Sequence, residues 1–330
     1  MIRSGNHSSF CKVGDSPLDQ QLRIALNRHA RGAATDEEVR EATDEVITVV
    51  VAQQSRAFIE IVTDGMIGWN GPLSHLARHL QGLESGELYR WFETNFYDRR
   101  VVVAGPIVRE GAFLVHDYEV AAGTANDQVL KVGLPGPVTT ARLARDEHYA
   151  SREKLAAALT YVLAAEVADL VKAGATCFQV DEPLLCHHPE DLELVADCAA
   201  RIFEAAGPDA MTVLSTYYGD LSAVAAKLHE LPGTHLGLDM VSTPGSFDLL
   251  KRLPEGRGVV LGLFDVSTTR LEDAADVAEA LAPFREILTP RDVVVGPNAG
   301  LELLPRDPAF DKLLHARYLV EKLSKEWEWA

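Results

Sequence analysis

Short apolar, β-branched runs alternate with longer stretches of helical period along the whole chain, and this alternation limits the fold more than any other feature. Runs near residues 1–5, 58–63, 129–133, 176–180, 212–216, 235–239, 258–264 and 292–296 predict strands covered on both faces. Helical patterns lie between them, at Asp36–Gln54, Arg152–Ala173, Leu192–Ala206, Leu221–Glu230, Leu271–Leu288 and Phe310–Trp327. Strands that alternate with helices build a parallel sheet. Eight such units in 330 residues predict an α/β fold, a TIM (β/α)8 barrel forming one catalytic domain over residues 1–330. Thr35 reads as the N-cap of the helix starting near Asp36, ahead of an acidic first turn.

One stretch exceeds a plain barrel. Between the second and third runs lie WFETNF, the apolar runs Val101–Val103 and Ala112–Val115, and a turn at Gly111 between those runs. They predict a hairpin inserted between strands 2 and 3, above the barrel mouth.

Composition narrows the function. Lys and Arg number 31 against 49 Asp and Glu, a formal charge of −18 with no basic cluster, which excludes a nucleic-acid backbone or an anionic membrane as partner. The four cysteines form no CxxC pair and suit a reducing compartment. The opening MIRSGNHSSF lacks an apolar signal core, and no stretch reaches 18 apolar residues. The expectation is a soluble, cytoplasmic protein.

In such a barrel the chemistry sits where the strands end. Polar phrases gather there: Asn6-His7-Ser8-Ser9, Thr63-Asp64-Gly65, Asp181-Glu182, Ser215-Thr216-Tyr217-Tyr218, Asp239, Asp265-Val266-Ser267-Thr268 and Asn298. The run Cys177-Phe178-Gln179-Val180 ending in two adjacent carboxylates and Pro183 is the sharpest of them. Asp181 and Glu182 suit ammonium binding or acid–base work, and crowding should raise one of their pKa values. The competing reading is a salt bridge or helix N-cap inside the barrel. His7 and Ser9 suit a carboxylate or phosphate, or equally a satisfied polar core. Trp69, Trp91, Phe96 and Tyr97 read first as packing and second as a platform for a flat ligand. Cys186-His187-His188 offers metal-competent side chains without an evident fourth ligand.

These phrases resemble, in order, the cobalamin-independent methionine synthase superfamily. His7-Ser8-Ser9-Phe10 is similar to its "HVGSF" opening. Ile61-Val62-Thr63-Asp64-Gly65 resembles its "VTDGE" strand end, Leu134-Pro135-Gly136-Pro137-Val138-Thr139 its "xPGPxT" turn, and Val180-Asp181-Glu182-Pro183 its "DEP" signature. The likeness is to a single-barrel core type. It implies a cytosolic methyltransferase that moves a methyl group from a methyl-folate or methyl-corrinoid donor to a thiol amino acid such as homocysteine. A corrinoid protein is then a possible partner, methylcobalamin a possible donor, and no cofactor is tightly bound.

In the family a zinc ion activates the thiol, held by an "HxC" pair, a Glu and a second Cys. Here those places read Ser215-Thr216-Tyr217, Asp239 and Ala299, and Met66 replaces the Glu of "VTDGE". The resemblance therefore implies that zinc is absent. The replaced phrases are similar to the metal-free N-terminal barrel of the long enzymes. In this reading Asp181 holds the acceptor's amino group, Ser9 and its neighbours the carboxylate, and Glu182 relays a proton. Asp239 or a tyrosine, Tyr217 above all, replaces the metal in deprotonating the thiol. His7, Asp64, Ser215, Tyr218, Asp265 and Asn298 complete the substrate shell, with Arg270 near another polar phrase. The rival readings are a different metal-independent reaction in the same mouth, a lyase or decarboxylase, or a corrinoid- or folate-binding relative without catalysis.

Overall fold

The computed structural model describes residues 1–16 and 18–329. Eight parallel strands form its centre: β1 (Ile2–Ser4), β2 (Ile61–Val62), β3 (Val129–Pro135), β4 (Cys177–Asp181), β5 (Met211–Ser215), β6 (His235–Asp239), β7 (Gly258–Phe264) and β8 (Val293–Pro297). They pair in the order β1-β8-β7-β6-β5-β4-β3-β2. The sheet closes on itself through bridges of Gly5 with Ile61 and Ser9 with Gly65, and Asn6 N–H donates to the Ile61 carbonyl at 2.9 Å. All eight expected strands are present, and the fold is the expected TIM barrel. The short β1 joins the two ends of the sheet.

Helices wrap the strands and bury their outer faces. Asp36–Arg56 starts on a capping box, in which Thr35 Oγ1 accepts from Glu38 N–H at 3.2 Å and the Glu38 carboxylate accepts from Thr35 N–H at 2.8 Å. Arg152–Lys172, Leu192–Ala206 and Arg306–Glu326 follow their sequence periods closely. Two expected α-helices differ. Ser222–Glu230 is a 3-10 helix, and the 271–288 segment splits into Ala274–Leu281, a 3-10 turn and Arg285–Leu288 around Pro283. Pro283 has no N–H to continue the ladder.

Inside the barrel, alternation sorts the side chains into layers. Ile61, Cys177, Val213, Val260 and Val294 form a dry plug near the strand starts. Above it the interior becomes polar, with buried His7, Lys131, Gln179, Asp181, Ser215, Asp239 and Asn298.

The inserted hairpin exists, with a correction to its position. Leu80–Arg90 pairs antiparallel with Tyr97–Arg109, so WFETNF forms the turn and Gly111 lies beyond the second strand. Val115 already belongs to a helix, Val115–Ala122. The first hairpin strand, LQGLESGELYR, escaped notice because it is half-exposed and its register shifts at two irregular points, which breaks the alternation of apolar residues. One clamp holds the insertion to the barrel. Fully buried Glu166 accepts from Phe113 N–H at 2.9 Å, Leu114 N–H at 2.7 Å and Arg109 Nε at 2.7 Å, while Arg109 also reaches Asp169 at 2.6 Å. Breaking a buried pair strands its partner. Glu166→Ala should cost about 3 kcal/mol in urea unfolding and speed hydrogen exchange first in residues 80–114; unchanged stability would show that the clamp does not anchor the insertion.

Candidate active site

A cavity of about 320 Å³ opens at the C-terminal ends of the strands, under the tip of the hairpin. Its floor carries Ser8, Ser9, Lys12, Asp181, Tyr217, Tyr218 and Glu302; Met66, Trp69, Leu73, Trp91 and Phe96 line its apolar side. The hairpin turn roofs it, with the Phe92 ring 5.0 Å from Tyr218 and 6.4 Å from Tyr217.

Asp181 is the carboxylate at this floor. Burial pushes its pKa from 3.8 up to about 7; a hydrogen bond from Gln179 Nε2 at 2.8 Å and the charge of Lys131 oppose the rise. Glu182, one residue on, leaves the strand on the other side and does not line the cavity. Its oxygens accept from Val138 N–H at 2.9 Å and Thr139 N–H at 2.7 Å, the free donors in the first turn of helix Pro137–Leu143. The helix N-terminus is a natural seat for an anion, although burial still lifts this carboxyl to about 7. Gly136 stands before that helix because a Cβ there would run into the Glu182 carboxyl and the Asp181 carbonyl.

Asp239 has a similar fate. It accepts from Tyr218 N–H, Val241 N–H and Ser242 N–H at 2.9 Å each, from Ser242 Oγ at 2.5 Å, and from Asn298 Nδ2 at 3.2 Å. Asn298 Oδ1 in turn accepts from Val266 N–H at 3.1 Å. This pair ties together the loops after β5, β6 and β7 and stays outside the cavity wall. Its contact with the Tyr218 N–H matters, because Tyr218 holds a left-handed backbone at φ 59°. Burial keeps the hydroxyls of Tyr217 and Tyr218 protonated well above the ordinary tyrosine range.

The other sequence candidates separate. Ser9 lines the cavity and donates to Glu302. His7 and Ser215 lie just below, joined at 3.1 Å through His7 Nε2, with burial and Lys131 holding the imidazole neutral. Asp64 faces a smaller pocket and accepts Met66 N–H at 3.0 Å, its pKa raised by burial. Asp265 accepts Ser267 N–H at 2.8 Å and stays off the cavity, as does Arg270. Cys186 is half-buried with a thiol pushed up to about 12, and His188 pairs with Glu190 at 3.1 Å. Trp69, Trp91 and Phe96 line the cavity, whereas Tyr97 is exposed.

Sequence reading missed four residues. Lys12 lines the cavity with no hydrogen-bond partner among the described residues, and burial lowers its pKa to about 8. Glu302 lies five residues past the end of β8, beyond the polar phrase at Asn298. Lys131 and Gln179 sit inside β3 and β4, where a lysine in a buried parallel strand was the available signal.

A small mixed-charge cavity at the mouth of a TIM barrel, with perturbed titratable groups and an aromatic roof, defines an enzyme site. A family model described as "Cobalamin-independent synthase, Catalytic domain" matches residues 10–322, and the chain belongs to that family, an enzyme of the methyltransferase class. The methionine synthase of Sulfurisphaera tokodaii is 29% identical over 304 residues, covering 92% of this chain and 88% of that protein. A Shewanella B12-independent methionine synthase solved with selenomethionine superposes with a TM-score of 0.83 at 22% identity, covering 98% of each chain. A putative Listeria monocytogenes enzyme of the same description gives 0.77 at 17% identity, covering 98% and 99%.

The residues present do not fit the zinc that the resemblance implies for this family. Ser215 Oγ is taken up by His7, Asp239 by its ring of donors, and Ala299 has no donor atom. Among the described residues, no three His, Cys, Asp or Glu side chains are grouped to hold a metal ion.

Glu182→Ala should leave two buried N–H groups without acceptors and destabilise the protein by about 2 kcal/mol in chemical denaturation. A variant as stable as the parent would return Glu182 to the list of groups free for chemistry.

Proposed function

We propose that this enzyme methylates the thiol of homocysteine from a methyl-folate donor, as a single catalytic domain in the cytoplasm and without zinc. The observation that carries the reading is the charge pattern of the cavity. Two carboxylates, Asp181 and Glu302, and one cation, Lys12, share a floor of about 320 Å³ with two tyrosines. An amino-acid zwitterion is the small molecule that complements both signs. Asp181 takes its ammonium; Lys12 and the Ser9 region take its carboxylate. The aromatic wall of Trp69, Trp91 and Phe96 suits the flat pterin of the donor. A family described as cobalamin-independent lends no support to the corrinoid donor.

The transfer is a displacement at the methyl carbon. The sulfur forms a bond to that carbon as the carbon–N5 bond of the folate breaks. The electron pair goes to N5, which takes a proton. In the absence of a metal the thiol must lose its own proton to the protein. Asp239 is occupied elsewhere and the tyrosines are bound too tightly to their protons, so Glu302 takes this part. It lines the cavity and accepts from Ser9.

The test is methionine formation from L-homocysteine, with methyltetrahydropteroylglutamate and methylcobalamin supplied in parallel and a chelator control. Turnover with the folate donor should survive the chelator. Loss of activity restored by zinc would refute the metal-free reading, and no product from either donor would refute the reaction. Lys12→Met and Asp181→Asn should each lower kcat/KM by about 100-fold or more.

Acceptor kcat/KM should rise with pH through about 7, as Asp181 ionises. Stability runs the other way. The folded pKa lies above the unfolded value of 3.8, so the native state holds the proton more tightly and stability falls as pH rises from there to about 7. Asp181→Asn removes that decline. Its Tm at pH 8 should be no lower than the parent's even though acceptor binding is lost; a lower Tm would show that the carboxylate is structural.

A further inference from the structure

Below the cavity floor the barrel interior carries a buried charge that the methyl-transfer reading does not use. Lys131 is 2% exposed, lies on β3 and takes no part in the cavity wall. Its Nζ donates to Gln179 Oε1 at 2.6 Å, and Gln179 Nε2 donates to Asp181 Oδ1 at 2.8 Å. The register allows this chain, because Gly133 pairs with Gln179 and Lys131 with Cys177 on the neighbouring strand.

A lone ammonium in a protein interior costs several kcal/mol of desolvation, and an apolar residue continuing the plug below would avoid that cost. The ammonium also has a directional effect. It can only donate, so the Gln179 amide must turn its oxygen towards Lys131 and its NH2 towards Asp181. An N–H donor favours the ionised form of the carboxylate it meets. One oxygen of Asp181 is thereby fixed, and the other is left for the cavity. The remaining groups facing the pair do not supply this. Cys177 and His7, beside Lys131, are both neutral, the thiol pushed up to about 11 and the imidazole held well below its usual value. Tyr217, beside Asp181, keeps its proton, while Glu182 and Glu302 oppose the ionisation of Asp181.

We propose that Lys131, acting through the Gln179 amide, is a positioning residue that orients Asp181 and favours its carboxylate form for the acceptor's ammonium. The inference rests on the assignment of Asp181 to that ammonium.

The full-length enzyme tests it with Lys131→Met and Gln179→Glu. The second variant gives Lys131 a charged partner and so preserves the core, but removes the donor to Asp181. Both should move the acid limb of kcat/KM for L-homocysteine upward by about one pH unit. The acceptor KM should rise about fivefold at pH 7 and recover at higher pH, with kcat little changed. Calorimetric binding of L-methionine should follow the same pH dependence without requiring turnover. A lower Tm with the acid limb unmoved in either folded variant would overturn the proposal. Asp181→Asn separates the two failures. If it binds L-methionine normally, the ammonium assignment is wrong; if it does not bind while Lys131→Met and Gln179→Glu behave like the parent, only the relay is wrong.

Discussion

Neighbouring side chains on a strand leave on opposite faces, and at the end of β4 this separates two carboxylates that are adjacent in the chain. Asp181 enters the barrel mouth, while Glu182 passes outward to the free N–H groups of helix Pro137–Leu143. Each placement depends on the other. Were the strand shifted by one residue, the helix would lose its anion and the cavity floor would lose its charged group. Thr139, whose N–H Glu182 holds, also lines the cavity, so the capped helix forms part of the wall that Asp181 faces.

The same alternation gives the barrel an apolar plug with a polar layer above it. Polar groups inside a protein are tolerated only when they have partners, and here they are joined across strands. Lys131, Gln179 and Asp181 form one chain, His7 and Ser215 a second, and Asp239 with Asn298 a third. Glycines make room for this layer. A Cβ at Gly237 would meet Ser215 Oγ at 2.8 Å, and one at Gly262 would meet the Asn298 backbone at 2.5 Å. The third network holds loops; the first reaches the cavity.

The insertion completes the site from outside the barrel. Its base is fixed by Glu166 on the helix Arg152–Lys172, and its turn lays Trp91 and Phe96 against the mouth. A cavity with charge on its floor and aromatic rings on its walls thus takes its two characters from two parts of the chain. The barrel supplies the polar groups at its strand ends, and the loop after β2 with Met66, Trp69 and Leu73 joins the hairpin's Trp91 and Phe96 in the apolar wall.

The barrel itself was legible in the sequence because parallel strands buried on both faces read as unbroken apolar runs, and their spacing leaves few other folds. The mouth phrases were legible for the same reason, since a polar residue directly after such a run must sit at a strand end. Local pattern could not say which way each polar side chain points, or what it meets. Asp239 and Glu182 looked as free for chemistry as Asp181 until the loops and the helix N-terminus that claim them were in place. Lys12, Glu302, Lys131 and Gln179 draw their significance from residues far along the chain, by 293 positions for Glu302 and Ser9 and by 48 for Lys131 and Gln179. The sequence alone determined the period of burial, and with it the barrel. Only the tertiary structure decided which charges are satisfied and which remain free, because hydrogen bonds and desolvation depend on neighbours that the closing of the barrel brings together.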